Sequence, residues 1–330
     1  MPFVSFCLTT YKRGNVLKNT LESIQRQLFT DFEVIVSDND PDSSGRDTVL
    51  QMNDIRFKYF PNGEDLGMKP SFNKSIERSS GEYIVMIADD DPIYHDMLST
   101  LSQLQKDYPS YAIYMGGCDW FCTHPDVSAL YNLKVGTNSC LSSKHELNYI
   151  QTYSASEFLK LFYSFGIFPH YLWSTCMVKR ETLLGFGGVP DYGTPFLGDY
   201  AYLGLMSSTT GCVVINKALG CQTLHKENFG RNQNEQIALV ARNFPVFLEE
   251  RMSQVEDWQI IKKLMIRFTA LWVVSHMSFL YKYIKEGNLH LAEKDVFRIN
   301  YMKKYRIKYF LKTRIPLIHD LIVTLKKMFK

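Results

Sequence analysis

Three consecutive aspartates, residues 89–91, directly follow the apolar segment 83–88. This segment is short and is preceded by a turn signal at residues 79–81, which predicts a buried strand. Neighbouring carboxylates repel one another unless a cation or polar ligand neutralises them. In open α/β sheets, ligands bind at the carboxyl ends of strands. The triplet therefore predicts either a Mg²⁺ or Mn²⁺ site on a diphosphate, or a solvated acidic turn that caps a helix beginning near His95.

The amino-terminal half of the chain alternates short apolar runs with longer segments whose apolar residues recur every three to four positions. The first pattern predicts strands and the second predicts helices. Their alternation is typical of βαβ units, so the predicted fold class is α/β with a mostly parallel sheet. Strands are predicted at 3–9, 32–37, 57–60 and 83–88, and helices at 15–28, within 42–52, at 71–78 and at 96–106.

Composition limits the class of protein. With 330 residues, of which 45% are apolar and 14% aromatic, the chain can hold one large domain with an appendage, or two modest domains. Its seven cysteines include no CxxC pair, and no second pair at zinc-like spacing accompanies Cys118 and Cys122. We therefore predict reduced, structural thiols in a cytosolic protein. The chain runs directly into a strand pattern, so no signal peptide is expected.

Polar segments follow the predicted strands in a fixed order. They are Thr9-Thr10-Tyr11-Lys12-Arg13, Asp38-Asn39, Asn62-Gly63-Glu64-Asp65-Leu66-Gly67, Phe72-Asn73-Lys74, and Ser80-Gly81-Glu82 ahead of the acidic triplet. In this order and spacing the segment resembles the family 2 glycosyltransferases, which use nucleotide-sugar donors and have the Rossmann-like GT-A fold. The resemblance is close over residues 2–100 and looser to about residue 230.

The resemblance implies that a nucleotide-sugar donor binds along the ends of these strands. Tyr11 would give the base an aromatic face, and the alternative for it is a core tyrosine. The donor-binding residues that the resemblance implies are Thr9, Tyr11, Arg13, Asp38, Asn39, Asn73, Asp89 and Asp90.

Asn39 departs from the family's usual pattern, which has two acids at the end of the second strand. A carboxylate only accepts hydrogen bonds, which suits the N3–H of uracil or thymine, whereas an amide can donate to the unprotonated N3 of cytosine. Asn39 therefore favours a CDP-sugar over a UDP-sugar as donor. The alternative is that it serves only the local turn, where Asn is common.

The acidic triplet matches the family's DxD element, which binds a divalent metal on the donor diphosphate. Two registers fit, Asp90 with Asp91 or Asp89 with Asp91. His225 resembles the family's late histidine, which helps to hold metal or diphosphate. The implied ligands are Asp89, Asp91 and His225, with Mn²⁺ or Mg²⁺ as the cofactor, and Asp91 is common to both registers.

Residues 186–200 resemble the family's GG…ED block, whose last acid deprotonates the acceptor hydroxyl. Asp199 stands at the position of that acid, and Gly198 replaces the usual Glu. The resemblance implies that Asp199 is the catalytic base of an inverting transfer. Desolvation by neighbouring aromatic residues would raise its basicity. Asp199 is also suited to cap the helix predicted after it.

Residues 301–330 carry a net charge of +8, which leaves −5 on residues 1–300. Cations mixed with apolar residues are typical of an amphipathic helix on an anionic membrane surface, and the alternative is a helical appendage packed on the catalytic domain. Residues 258–283 have a helical apolar stripe that polar residues interrupt, so no membrane span is expected there. We predict a GT-A catalytic domain at 1–235 and an α-helical basic region at 236–330. Nucleic acid is not an expected partner.

Within the family, the chain is similar to bacterial O-antigen transferases, and an abequosyltransferase-like enzyme using a CDP-dideoxyhexose is the narrowest interpretation. We expect a metal-dependent hexosyltransferase that moves a sugar from a nucleotide donor to a lipid-linked O-antigen or surface-polysaccharide intermediate. It would be cytoplasmic and peripheral at the inner face of the cell membrane. The alternative is a non-catalytic GT-A-like module that binds a nucleotide or a partner there. A nucleotidyltransferase would normally have a Gly-rich basic loop early in the chain, and residues 12–14, with a single glycine, are too short to form one.

Overall fold

The computed structural model describes residues 1–166, 170–226, 236–283 and 289–316. The chain divides into two compact units. The first comprises residues 1–162, 166–190 and 199–228, and the second comprises 163–165, 191–198 and 229–330. The sequence places the division at residue 235. By its contacts, the second unit also takes in two short earlier segments.

The first unit is built on a nine-stranded sheet. Its strands are β1 (Val4–Thr10), β2 (Phe32–Asp38), β3 (Phe57–Pro61), β4 (Tyr83–Ala88), β5 (Ile113–Cys122), β6 (Gly136–Asn138), β7 (Ile150–Tyr153), β8 (Cys176–Lys179) and β9 (Cys212–Leu224). The order is β3-β2-β1-β4-β8-β5-β9-β7, and β6 pairs with β5. The strands β3, β2, β1 and β4 are mutually parallel, and β5 is parallel to β9. β8 is antiparallel to both β4 and β5.

The helices of the first unit lie between these strands. They are α1 (Gly14–Gln25), α2 (Arg46–Gln51), α3 (Met68–Arg78), α4 (Met97–Asp107), α5 (Pro125–Tyr131), α6 (Ala155–Tyr163), α7 (Arg180–Gly185) and α8 (Gly198–Thr210). The predicted α/β fold class with a mostly parallel sheet is confirmed. α3 begins three residues earlier than predicted because Pro70 falls in its first turn, where a missing N–H costs nothing. β9 is the longest of these strands, with 13 residues.

The central strands explain why the amino-terminal sequence reads as continuous apolar runs. Every residue of β2 is buried, and β1 and β4 are buried almost throughout. Parallel strands covered by helices on both faces have no solvent-facing side, so polar residues collect at their ends. The polar residues of the site therefore lie where the strands leave the sheet.

The second unit is helical. It contains α9 (Ile237–Met252), α10 (Trp258–Tyr283), α11 (Leu289–Arg298), a 3₁₀ turn (Asn300–Tyr305) and α12 (Arg306–Arg314). Phe244 and Phe268 are buried in its core, and Tyr192 packs edge-on against Phe244. Within the described ranges, α10 alone is long and apolar enough to cross a membrane by length and composition, and half of the stretch Trp258–Tyr281 is buried in the protein itself. Core helices commonly have the same composition.

Candidate active site

The carboxyl ends of three adjacent parallel strands form one edge of the first unit. Thr10 at the end of β1 lies opposite Asp38 at the end of β2, and Thr9 lies opposite Ala88 at the end of β4. Because parallel strands end on the same side, the chain that follows β4 is placed beside the ends of β1 and β2. The acidic triplet therefore lies at the sheet edge that the sequence predicts.

Asp89 is held by two donors that follow β1. The Thr10 hydroxyl donates to its Oδ2 at 2.8 Å, and Arg13 Nη1 donates to its Oδ1 at 3.1 Å. Burial, and then the charge of Asp90, raise the pKa of Asp89 to about 6, although Arg13 and Thr10 act in the opposite direction. Thr10 is a site residue that sequence reasoning missed. Side chains alternate along a strand, so Thr9 and Thr10 point to opposite faces.

Asp90 contacts both Arg13 and His225. Arg13 Nη1 donates to its Oδ2 at 2.8 Å, and His225 Nε2 lies 2.9 Å from the same oxygen. Burial opposes ionisation of Asp90, but the hydrogen bond with His225 and the positive charge of Arg13 outweigh it and lower the pKa of this carboxyl. Asp90 and His225 keep part of their side chains exposed, so they face the open edge of the site.

Asp91 points into the protein. It is buried, and its Oδ1 accepts the backbone N–H of Thr223 at 3.0 Å. Burial first, then Asp90 and less strongly Asp199, raise the pKa of Asp91 well above its usual range. The structure thus brings His225 to Asp90 and engages Asp91 with β9, and the ligand set of Asp89, Asp91 and His225 stays a prediction.

The donor set at Asp90 and His225 fits a divalent metal. Within the described ranges, no group of three or more His, Cys, Asp and Glu side chains is arranged to hold a metal ion by itself. Two protein ligands are sufficient where substrate phosphates and water complete the shell. A carboxylate with an imidazole suits Mn²⁺ better than Mg²⁺, which prefers oxygen alone. Asp90 and His225 are the residues that would hold such an ion.

Asp199 lies in the first turn of α8, on the same side as the triplet. Its Oδ1 accepts the backbone N–H of Trp173 at 3.4 Å. Burial raises the pKa of Asp199 to about 6, against the opposing effect of this hydrogen bond. The negative charge of Asp199 also contributes to raising the pKa of Asp91. A carboxylate with raised basicity beside a diphosphate site can remove a proton from an incoming hydroxyl.

The residues predicted to bind the donor differ in accessibility at the ends of β1 and β2. The Tyr11 ring is 41% exposed, as a surface for stacking requires. Arg13 reaches the acidic triplet. Asp38 is fully buried, and its carboxylate accepts N–H groups of Asp40 and Gly45 and the Tyr59 hydroxyl, each at 2.9 Å. Asp38 therefore holds the following loop and offers no free surface to a base.

Thr9 and Asn39 also belong to local hydrogen-bond networks. The Thr9 hydroxyl contacts the Ser71 hydroxyl and donates to the Ser37 carbonyl at 3.2 Å. The Asn39 amide donates to Asp65 at 2.5 Å, and its oxygen accepts from Asn62 and from the Leu66 N–H, both at 3.1 Å. Asn39 thus fixes the loop at 62–67. The bond to Asp65 uses one of the two amide hydrogens.

Asn73 supports a turn. Its Oδ1 accepts the Val189 N–H at 2.9 Å. The preceding Gly188 has a φ of +91°, and a Cβ there would lie 2.4 Å from the same oxygen. Only glycine fits this position. In the structure Asn73 anchors the Gly187-Gly188 turn, and its donor-binding role stays a prediction.

The sequence of the first unit matches a known family. The model of glycosyl transferase family 2 matches residues 5–151. A GalNAc(5)-diNAcBac-PP-undecaprenol β-1,3-glucosyltransferase of Campylobacter jejuni is 37% identical over 122 residues, which are 36% of this chain and 38% of that protein. The abequosyltransferase RfbV of Salmonella typhimurium is 31% identical over 104 residues, 30% of this chain and 31% of that protein. The matches therefore span less than two-fifths of these relatives.

Solved structures match almost the whole chain at low identity. S. aureus TarS 1–349 in complex with UDP-GlcNAc has a TM-score of 0.60 at 14% identity, over 96% of this chain and 93% of that chain. The mannosyltransferase PcManGT from Pyrobaculum calidifontis, in complex with GDP-Man and Mn²⁺, has a TM-score of 0.54 at 14% identity, over 97% and 88%. At this identity the likeness concerns the fold alone. Residues 5–151 thus match the family 2 glycosyltransferases, and the α/β domain has the GT-A fold.

Proposed function

We propose that the protein transfers a sugar from a nucleotide-sugar donor, with a CDP-sugar favoured, to a saccharide acceptor on a lipid-linked surface-polysaccharide intermediate. The observation that carries the proposal is the placement of Asp90 and His225 at the sheet edge, with Asp199 close enough to the neighbouring Asp91 to raise its pKa. The lipid-linked acceptor is supported by the name of the C. jejuni relative, and the CDP-sugar by Asn39 and the name of RfbV.

In this proposal each residue has a separate task. Tyr11 packs on the base, and Arg13 neutralises the acids while lying close to the diphosphate. A divalent ion on Asp90 and His225 would withdraw charge from the leaving diphosphate. Asp199 removes the proton from the acceptor hydroxyl, which then attacks the anomeric carbon from the face opposite the diphosphate. Attack from that face inverts the configuration at this carbon.

A nucleotide panel tests the donor. We expect CDP with Mn²⁺ to raise the melting temperature more than UDP, GDP or dTDP, because a ligand that binds only the native state stabilises it by mass action. If the second amide hydrogen of Asn39 meets N3 of cytosine, the preference for CDP over UDP is ~10-fold, and Asn39→Asp reverses it. Equal shifts with CDP and UDP, unchanged in the mutant, would show that Asn39 serves only its loop.

The second unit supports attachment to a membrane surface. Ile307 and Phe310, one turn apart on α12, are 73% and 52% exposed. Lys303, Lys304, Arg306 and Lys308 are exposed around them. An apolar pair within a ring of cations suits an anionic lipid surface, where the apolar side chains enter the interface and the cations meet headgroups. Residues 317–330, the rest of the predicted basic tail, lie outside the described residues.

Ile307→Ser with Phe310→Ser should weaken binding to phosphatidylglycerol-containing vesicles ~10-fold or more, because two apolar side chains no longer leave water. Flotation with these vesicles measures the effect. Substituting these two is cleaner than truncation, because the neighbouring Met302 and Tyr309 are buried. The matched control is Ile55→Ser, which removes a 96% exposed side chain from the first unit. Equal flotation of the double variant and the control would show that Ile307 and Phe310 of α12 do not contribute to membrane binding.

A further inference from the structure

A ring stack lies beside the acidic triplet and takes no part in the chemistry above. The rings of Trp120 and His170 are 5.1 Å apart at an interplanar angle of 19°. His170 Nε2 lies 3.3 Å from the Gln222 side-chain oxygen, and the His170 carbonyl accepts the Cys118 N–H at 2.8 Å. All three side chains of this Trp120–His170–Gln222 cluster are partly exposed. Two aromatic rings and an amide are thus held in fixed positions at the surface.

The carboxyl end of β9 joins the cluster to the metal-binding side. Gln222 belongs to the cluster. The backbone N–H of the next residue, Thr223, donates to Asp91 at 3.0 Å, and His225 Nε2 lies 2.9 Å from Asp90 Oδ2. These contacts fall within four consecutive residues. The cluster therefore lies only a few residues along the chain from the proposed metal and diphosphate site.

The segment after His170 connects the same cluster to Asp199, the proposed catalytic base. The backbone N–H of Trp173, three residues after His170, donates to Asp199. In the sheet order, β5 and β9 lie on the other side of β4 from β1 and β2, whose ends take the nucleotide. The cluster therefore lies on the side of β4 away from the proposed nucleotide site, and His170 is three residues along the chain from the contact with Asp199.

We propose that Trp120, His170 and Gln222 form the subsite that binds the acceptor saccharide and positions its hydroxyl toward Asp199. This inference rests on the proposed function and adds a place for its second substrate. The C–H groups of a pyranose ring pack on the electron-rich faces of aromatic rings, while amide and imidazole groups bind its hydroxyls. Sites for small molecules are usually lined by aromatic and apolar side chains with a small number of polar groups among them.

The chemistry of His170 suits a neutral, hydroxyl-rich ligand. Burial lowers the pKa of His170 to about 4, so the ring is uncharged at neutral pH. A neutral ring that donates from Nε2 to Gln222 has Nδ1 as its acceptor nitrogen. The cluster then presents no net charge, unlike the donor side with its diphosphate and cations.

The test uses the intact protein and, as acceptor probes, GalNAc and GlcNAc linked through diphosphate to a short alkyl chain. His170→Ala and Gln222→Ala should each raise the acceptor KM ~10-fold, and donor hydrolysis without acceptor should change by less than about twofold. Trp120 also packs on Cys122, Val127 and Leu224, so Trp120→Leu keeps apolar bulk while it removes the ring. The control is Phe121→Leu, because Phe121 is 39% exposed on the opposite face of β5.

An unchanged acceptor KM in the His170 and Gln222 variants would overturn the proposal. So would an equal loss of donor hydrolysis and transfer, since that marks a structural role. A raised acceptor KM with unaltered donor hydrolysis and melting temperature supports it. If the wild-type protein neither hydrolyses a donor nor transfers a sugar, the proposed function itself is overturned. This outcome is distinct from failure of the acceptor subsite, because it is seen without any of the variants.

Discussion

Asp199→Asn should lower turnover ~10²–10⁴-fold, the usual contribution of a positioned general base. The amide keeps the size of the side chain and can still accept the Trp173 N–H, so the start of α8 should be preserved. It cannot accept a proton from the acceptor hydroxyl. Donor affinity should be nearly unchanged, because Asp90 and His225 hold the diphosphate side. Steady-state transfer and nucleotide binding, measured on the same preparation, separate these effects.

The pH profile provides a second readout of the same residue. The pKa of Asp199 is about 6, so the wild-type rate should fall ~10-fold per pH unit below that value as the base becomes protonated. The Asn variant should lack this limb. The control is Glu181→Gln, which removes a carboxylate from the first turn of α7 at the amino-terminal edge of β4. A mutant that keeps its turnover but loses donor affinity would exclude Asp199 as the base.

Asp90→Asn should weaken Mn²⁺-dependent nucleotide binding by more than ~100-fold, because loss of a mere supporting partner already costs ~10–100-fold in metal affinity. The substitution removes the carboxylate that lies 2.9 Å from His225 and frees Arg13 from one of its two anions. Titration of nucleotide at several Mn²⁺ concentrations measures the effect. Binding in the absence of metal should change little.

The neighbouring acid tests the assignment within the triplet. Asp91→Asn keeps an oxygen for the Thr223 N–H and lies away from the open edge, so we expect a much smaller loss of Mn²⁺ affinity. The melting temperature should not fall, because the variant removes a buried acid whose ionisation burial and Asp90 oppose. Asp31→Asn, an exposed aspartate that precedes β2 at the far edge of the sheet, is the control. The reverse order, with the larger metal defect in the Asp91 variant, would support Asp91 as the metal ligand, the residue common to both predicted registers.

The fold could be predicted well because its signals are local. Buried parallel strands read as uninterrupted apolar runs, and β4 and α10 coincide with their predicted bounds. Strand ends were predicted to within a residue or two for the same reason. The extent of β9 and its pairing with β5 depend on contacts between distant segments. Such contacts have no local pattern, so the sequence did not indicate them.

The sequence predicts which polar residues lie at the strand ends more reliably than it predicts what each of them contacts. Asp38, Asn39 and Asn73 are where the family pattern places them, but their hydrogen bonds go to the loops around them. The order of three identical acids gives no information on which of them faces outward. That is decided by β9, whose Thr223 N–H captures Asp91 and leaves Asp90 to His225. Only the folded chain brings these segments together.

Donor hydrolysis tests the central claim, that the site is catalytic, most directly. The wild-type protein would be incubated with CDP-, UDP-, GDP- and dTDP-sugars and Mn²⁺, and free sugar followed by NMR. The account predicts slow release of sugar from at least one donor, lost on chelation of the metal and in the Asp90→Asn variant. Nucleotide binding with no sugar released from any donor, with or without a saccharide acceptor, would contradict it and identify a non-catalytic binding module.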